Sequence, residues 1–288
     1  MNHLSEITQR FVSLSDEERI TEINSDKWIG YPKAKAILEK LEGLLTFPKI
    51  LRMPNLLLIA PGGNGKTILL NRFCEAHKQI VTPETERGNI PVLNIQAPTK
   101  PDEHAFYISI LRALNAPFIV SHKTTQLYNQ VSAILRNVGV KILIIDEVHN
   151  ILHGNYLTQR LFLNVIKYMA NDLQIVIVGA GVKDALSAIN TDEQLASRFR
   201  PVMLPKWKMD EEYLRLLNSF EALLPLKQPS ALSARETATK ILSMSDGIIG
   251  EISAILKLAA TYAIKTKKEN IDVQVLGKID YVPPVNRH

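Results

Sequence analysis

At 288 residues, 46% hydrophobic and 22% charged, the chain has enough apolar material for one large α/β domain with an appendage or for two modest domains, which excludes a disordered protein. Its net charge of +5 admits nucleic acid as a partner without requiring it. No apolar run approaches the ~18 residues that would span a bilayer, and no basic stretch followed by an apolar one opens the chain, so no membrane partner and a cytoplasmic location are expected.

Residues 1–50 read as a helical lead-in packed on the core. Ser15-Asp16-Glu17-Glu18 has the carboxylates of a first helical turn, Trp28-Ile29-Gly30-Tyr31-Pro32 interrupts, and Ala34, Ile37, Leu38, Leu41 and Leu45 follow at helical spacing. From 51 to 206 the pattern changes to an α/β nucleotide-binding core. Leu56–Ile59, Val92–Ile95, Ile142–Ile145 and Ile175–Val178 are continuous apolar runs of the kind that form parallel strands covered on both faces. Helical patterns separate or follow them at Lys66–His77, Asp102–Leu114, Gln126–Asn137 and Tyr156–Asn171, and a fifth strand is expected near Pro201–Leu204. Beyond Pro205 only helices are expected: Met209–Leu224, Ser233–Ser243 and Ile248–Lys265. They make residues 207–270 a small helical lid, with 271–288 as a C-terminal tail. Cys74, the lone cysteine, excludes an intrachain disulfide and reads as a buried, inert thiol.

Three segments carry chemistry. Ala60-Pro61-Gly62-Gly63-Asn64-Gly65-Lys66-Thr67 joins a strand to a helix. In that setting glycines let backbone N–H groups close on a phosphate, Lys66 reaches the outer phosphate oxygens, and the Thr67 hydroxyl coordinates Mg²⁺. Pro61, Gly62, Gly63, Asn64, Gly65, Lys66 and Thr67 are therefore the candidate ATP-binding residues. The run departs from the usual pattern only in its first position, alanine for glycine. The second segment is the Ile142–Ile145 strand, which ends in Asp146-Glu147. Asp146 at the strand end suits Mg²⁺ held through water, and Glu147 is placed to polarise the attacking water. His149 and His153 follow without partners at metal-ligand spacing, so neither takes a metal role. The third segment, Asp192–Arg200, contains Arg198 and Arg200, whose guanidinium forks suit the γ-phosphate of a neighbouring subunit or, more plainly, close a helix on the surface.

The order of phosphate loop, Asp-Glu strand, Ser-Arg-Phe segment and helical lid resembles an AAA+ ATPase, a P-loop NTPase with a parallel five-stranded sheet. More closely, the chain resembles the TniB/TnsC family of transposition regulators. The resemblance rests on Asp26–Ala34, Arg52–Leu57, Asn64–Thr67, Arg72-Phe73, Asp146–His149 and Gly247–Ile252, and runs over nearly the whole chain. It implies an ATPase that assembles as a homo-oligomer, ring or helical filament, on duplex DNA. It further implies a DDE transposase and a TniQ-type targeting protein as partners. Gly179-Ala180-Gly181 stands where a polar sensor is usual, and Glu251 where many relatives carry a second-sensor arginine; both departures point to slow hydrolysis.

DNA contact falls to Lys100, in the loop after the second strand, and to Ser121, Lys123 and Thr124, between the next two helices. Lysine and threonine suit sequence-independent contact with the phosphate backbone, although a solvated loop explains them equally. Two other readings stay open: a helicase-loader-like ATPase acting on single strands, and a nucleotide-dependent scaffold with negligible hydrolysis.

Overall fold

The computed structural model describes residues 3–78, 88–190 and 196–283. Asp192–Leu195 of the arginine segment, and Pro284 to His288 of the expected tail, lie outside them. In chain order the elements are α1 (Glu6–Phe11), α2 (Asp16–Asn24), α3 (Pro32–Leu45), β1 (Asn55–Ile59), α4 (Lys66–Ala76), β2 (Val92–Gln96), α5 (Glu103–Ala113), α6 (Thr124–Asn137) and β3 (Ile142–Asp146). A 3-10 turn (Val148–His153), α7 (Tyr156–Leu173), β4 (Val176–Gly181), α8 (Asp184–Asn190), β5 (Phe199–Met203), α9 (Glu211–Leu223), α10 (Arg235–Ser245), α11 (Ile249–Lys265) and α12 (Val273–Lys278) follow. The chain forms two compact units, residues 33–204 and residues 1–32 with 205–288.

Unit 33–204 holds a five-stranded parallel sheet in the order β2-β3-β4-β1-β5. Every residue of β1, β3 and β4 is buried, which is why these strands read as unbroken apolar runs. Leu57, Ile59, Leu143, Ile145 and Ile177 share one core with Phe106, Leu111, Leu127, Leu135, Phe162 and Ile166 of α5, α6 and α7. Residues of the opposite parity, Leu56, Leu58, Ile142, Ile144, Val176 and Val178, are equally buried on the other face. The fold is thus α/β with a five-stranded parallel sheet, as expected, and β5 begins two residues before the expected position. Cys74 is half-buried, and burial pushes its thiol up to about 11.

The second unit is helical. Ile252, Ile255, Leu256, Ala259, Ala260, Ala263 and Ile264 of α11 form its centre with Tyr213, Leu216 and Leu217 of α9. The first residues group here rather than with the α/β core: Ile23 of α2 joins this apolar cluster, and Arg19, fully buried, donates from Nη1 to Glu269 Oε1 at 2.9 Å and from Nε to Pro225 O at 3.0 Å. A buried guanidinium requires such partners, and both of these hydrogen-bond acceptors lie in the C-terminal third of the chain. Of the expected lead-in, only α3 belongs to the α/β unit. The expected tail contributes Ile271, Val275 and Leu276 to the helical core. Ser15 caps α2 in the capping box foreshadowed by its acidic first turn. The Tyr31 ring meets Trp207 edge-on at 4.9 Å, so the Trp28–Pro32 interruption packs within this unit too. Glu251 accepts a hydrogen bond from the Tyr281 hydroxyl at 2.6 Å.

Among the described residues no single helix is long and apolar enough to cross a membrane.

Candidate nucleotide site

The strand order puts β4 between β1 and β3, so the C-terminal ends of all three open on one edge of the sheet, where the order reverses and α/β folds bind ligands. The phosphate loop leaves β1 there. Ala60 N donates to Gly181 O at 3.1 Å and Leu204 N to Ile59 O at 2.8 Å, tying the root of the loop to both neighbouring strands. Gly63 (φ 68°) and Gly65 (φ 84°) have left-handed backbones that a side chain would strain. Gly65 caps α4 without a side-chain hydrogen bond, leaving the first N–H groups of the helix for an anion.

Asn64 is 2% exposed, and its amide donates to Leu204 O at 2.9 Å. This side chain braces the loop against the residue after β5. Lys66 is 5% exposed and donates from Nζ to Ala60 O and Pro61 O, both at 3.1 Å. Burial pulls its ammonium below the ordinary lysine range, opposed by the charges of Glu147 and Asp146. Thr67 Oγ1 donates to Asp146 Oδ2 at 2.7 Å across 79 residues of sequence. The two halves of the expected Mg²⁺ site are therefore in direct contact.

Asp146 Oδ1 accepts from Glu147 N at 2.8 Å. Glu147 has a left-handed backbone (φ 55°), rare for a residue with a side chain, and caps the 3-10 turn. Its Oε2 lies 3.1 Å from His149 Nε2. His149 thus has a carboxylate partner, and His153 Nδ1 donates to Thr99 O at 3.0 Å. The pairing of His149 with Glu147 went unread in the sequence, although a histidine two residues past Glu147 was the available signal. Gly181 of β4 leaves room for this turn, whereas a side chain at Gly179 would be in no more than ordinary contact with it. A Cβ at 179 would come 3.5 Å from Val148 Cγ1, and one at 181 would come 3.2 Å from the same atom and 3.3 Å from His149 Nδ1.

These residues fit a magnesium nucleotide. A buried ammonium donates to loop carbonyls, a helix N-terminus has no side-chain cap, and two hard oxygens suited to Mg²⁺ sit side by side.

Arg198 and Arg200 lie at the other end of β5. Phe199 is in register with Asn55 at the start of β1, about five residues and ~16 Å along the strand from the loop. Arg198 donates to Asn171 Oδ1 at 2.7 Å, and Arg200 is exposed. Neither joins the constellation within its own chain. Lys100, Ser121 and Lys123 are exposed, and Thr124 opens α6 half-buried. His104, in the first turn of α5, donates to His122 O at 3.2 Å, drawing the Lys100 and Lys123 loops together around that helix end.

The family model of the bacterial TniB protein matches residues 19–209. The chain belongs to the TniB family. No curated protein sequence matches it, but solved structures share its fold. The ORC2 protein of Aeropyrum pernix in ADPNP-ADP complexes aligns with a TM-score of 0.61 at 17% identity, over 89% of this chain and 70% of that one. The ORC1 protein of Aeropyrum pernix in complex with DNA gives 0.54 at 15% identity, over 90% and 67%. AMPPCP-bound DnaA from Aquifex aeolicus gives 0.51 at 14% identity, over 84% and 68%. The fold is that of the AAA+ ATPases, and the TniB match covers the phosphate loop, Asp146-Glu147 and both arginines.

Proposed function

We propose that this chain is an ATP-dependent, DNA-binding regulator of transposition that assembles on duplex DNA and hydrolyses ATP slowly. The reading is carried by the contact of Thr67 Oγ1 with Asp146 Oδ2, inside a chain of the TniB family. Lys66 and the α4 N-terminus would hold the phosphates, Thr67 and Asp146 the Mg²⁺, and Glu147 would take a proton from the attacking water. The magnesium supplies charge neutralisation when bound. Arg198 and Arg200, remote from their own phosphate loop, would act on a neighbouring subunit, which makes the active species a homo-oligomer, ring or filament. In this reading target choice passes from a TniQ-type protein through the DNA-bound oligomer to a DDE transposase. The ORC1 neighbour in complex with DNA, and the exposed lysines gathered near α5, support a duplex-binding role.

Electron microscopy with duplex DNA, magnesium and a non-hydrolysable ATP analogue tests this directly. Ordered assemblies are expected on duplex only when nucleotide is present, and none with Lys66→Ala. Paired Lys100→Glu and Lys123→Glu should weaken duplex affinity at least about tenfold while leaving nucleotide affinity intact. Assembly on single strands alone would favour the helicase-loader reading. Turnover in Glu147→Gln equal to the parent's would remove the hydrolytic role assigned to that residue.

A further inference from the structure

Glu147 is held tightly in its backbone and loosely in its side chain. Its N–H donates to Asp146 Oδ1 at 2.8 Å and its carbonyl accepts from Asn150 N at 2.9 Å, which together keep the left-handed φ of 55° in place. Such a conformation costs on the order of 1 kcal/mol or more and persists only where its surroundings over-determine it. The carboxylate is partly exposed and could swing through several rotamers. A base that must meet a water in one geometry gains little from a fixed backbone if its carboxylate is free.

A neighbouring side chain can supply the missing restraint. His149 Nε2 stands 3.1 Å from Glu147 Oε2. The other ring nitrogen, Nδ1, is buried and has no hydrogen-bond partner among the described residues. A buried N–H with no acceptor costs more than a buried lone pair, and a carboxylate needs a donor, so the proton belongs on Nε2, the nitrogen beside Glu147. The ring occupies space that β4 leaves open, since a Cβ on Gly181 would come within 3.3 Å of Nδ1. The end of β4 brings no polar side chain of its own to Glu147, because it reads Gly179-Ala180-Gly181. The turn after β3 fills that position from the same segment that carries the carboxylate.

We infer that His149 is a positioning residue: its Nε2–H fixes the Glu147 carboxylate in the orientation from which it takes a proton from water. Glu147 directly follows Asp146, whose Oδ2 accepts from Thr67 Oγ1 and whose Oδ1 accepts from Glu147 N, so the carboxylate is carried beside the phosphate loop. His149 touches neither nucleotide nor water and works through Glu147 alone. This inference rests on the role proposed above for Glu147.

The test uses the full-length chain with magnesium and ATP. His149→Ala should lower kcat by about 10- to 100-fold, while KM and the affinity for a non-hydrolysable analogue stay within about twofold. His149→Gln, which returns an N–H donor, should recover part of the loss. An unchanged or raised kcat, a parallel loss of nucleotide affinity, or no recovery with glutamine would each overturn the assignment. A second readout needs no turnover. In nucleotide-free protein with ¹⁵N-labelled histidine, the His149 ring should be the Nε2–H tautomer, and Glu147→Ala should shift it toward a mixture. An Nδ1–H ring in the parent, or a ring indifferent to Glu147→Ala, would refute the contact even if the His149 variants failed to fold. Glu147→Gln separates the two levels. If it abolishes hydrolysis while His149→Ala does not lower it, this inference alone fails; if it hydrolyses at the parent rate, the role of Glu147 fails and takes the inference with it.

Discussion

Within the phosphate loop, neighbouring residues do different work. Lys66 waits on two loop carbonyls, and a phosphate arriving there would replace neutral acceptors with a charged one. Asn64, between two glycines of the same run, turns its amide away to Leu204 O. Its substitution by alanine should therefore act on the loop's shape first. Loss of this buried hydrogen bond is expected to cost about 1 to 2 kcal/mol, read as a lowered Tm, with weaker binding of an ATP analogue as a consequence. An unshifted Tm would show that Leu204 does not anchor the loop.

At the scale of elements, turns decide more than helices do. The 3-10 turn capped by Glu147 ends at His153, whose bond to Thr99 O reaches the loop bearing Lys100. The turn between α10 and α11 is equally constrained. Gly247 has φ +69°, its carbonyl accepts from Trp207 N at 2.8 Å, and a Cβ there would lie 2.3 Å from Trp207 O. The obstacle is backbone, so it cannot rotate away. Gly247→Ala should destabilise the helical unit by more than about 1 kcal/mol, seen as a lower unfolding midpoint in denaturant, whereas Gly43→Ala, where nothing stands within 4 Å, should be close to neutral or mildly stabilising.

For the molecule as a whole, one of the longest-range polar contacts is also among the most buried. Arg19 in α2 meets Glu269, 250 residues away. Removing one member of a buried pair leaves the other charge uncompensated, so Arg19→Ala should cost about 3 to 5 kcal/mol by denaturant unfolding. Burial alone would raise the Glu269 carboxyl. The Arg19 hydrogen bond and the Lys227 N–H outweigh it, and hold the group below the usual glutamate range. Since the folded value is the lower one, the stabilisation is complete above the unfolded value and fades as pH falls through the folded one. Stability should drop with acidification below about pH 4.5, and Arg19→Ala should flatten that slope. Equal slopes in both proteins would rule the pair out as the source.

The sequence by itself determined the alternation of strands and helices, because fully buried strands must be apolar throughout and amphipathic helices must repeat at three and four residues. It also determined the phosphate loop and the acidic strand end. Both are local, since each needs a few adjacent residues whose chemistry is visible without knowing what lies across the sheet. Only the tertiary structure decided the rest. That α2 belongs with the C-terminal helices depended on a partner for Arg19 some 250 positions away. That residues past 270 form part of a core depended on where Ile271, Val275 and Leu276 are buried. That an imidazole stands beside Glu147 depended on Gly181 of β4, which looks like a deficit in one dimension and is a space in three. Apolar periodicity is a property of neighbours along the chain, whereas pairing of buried charges and the room left by absent side chains are properties of neighbours in space.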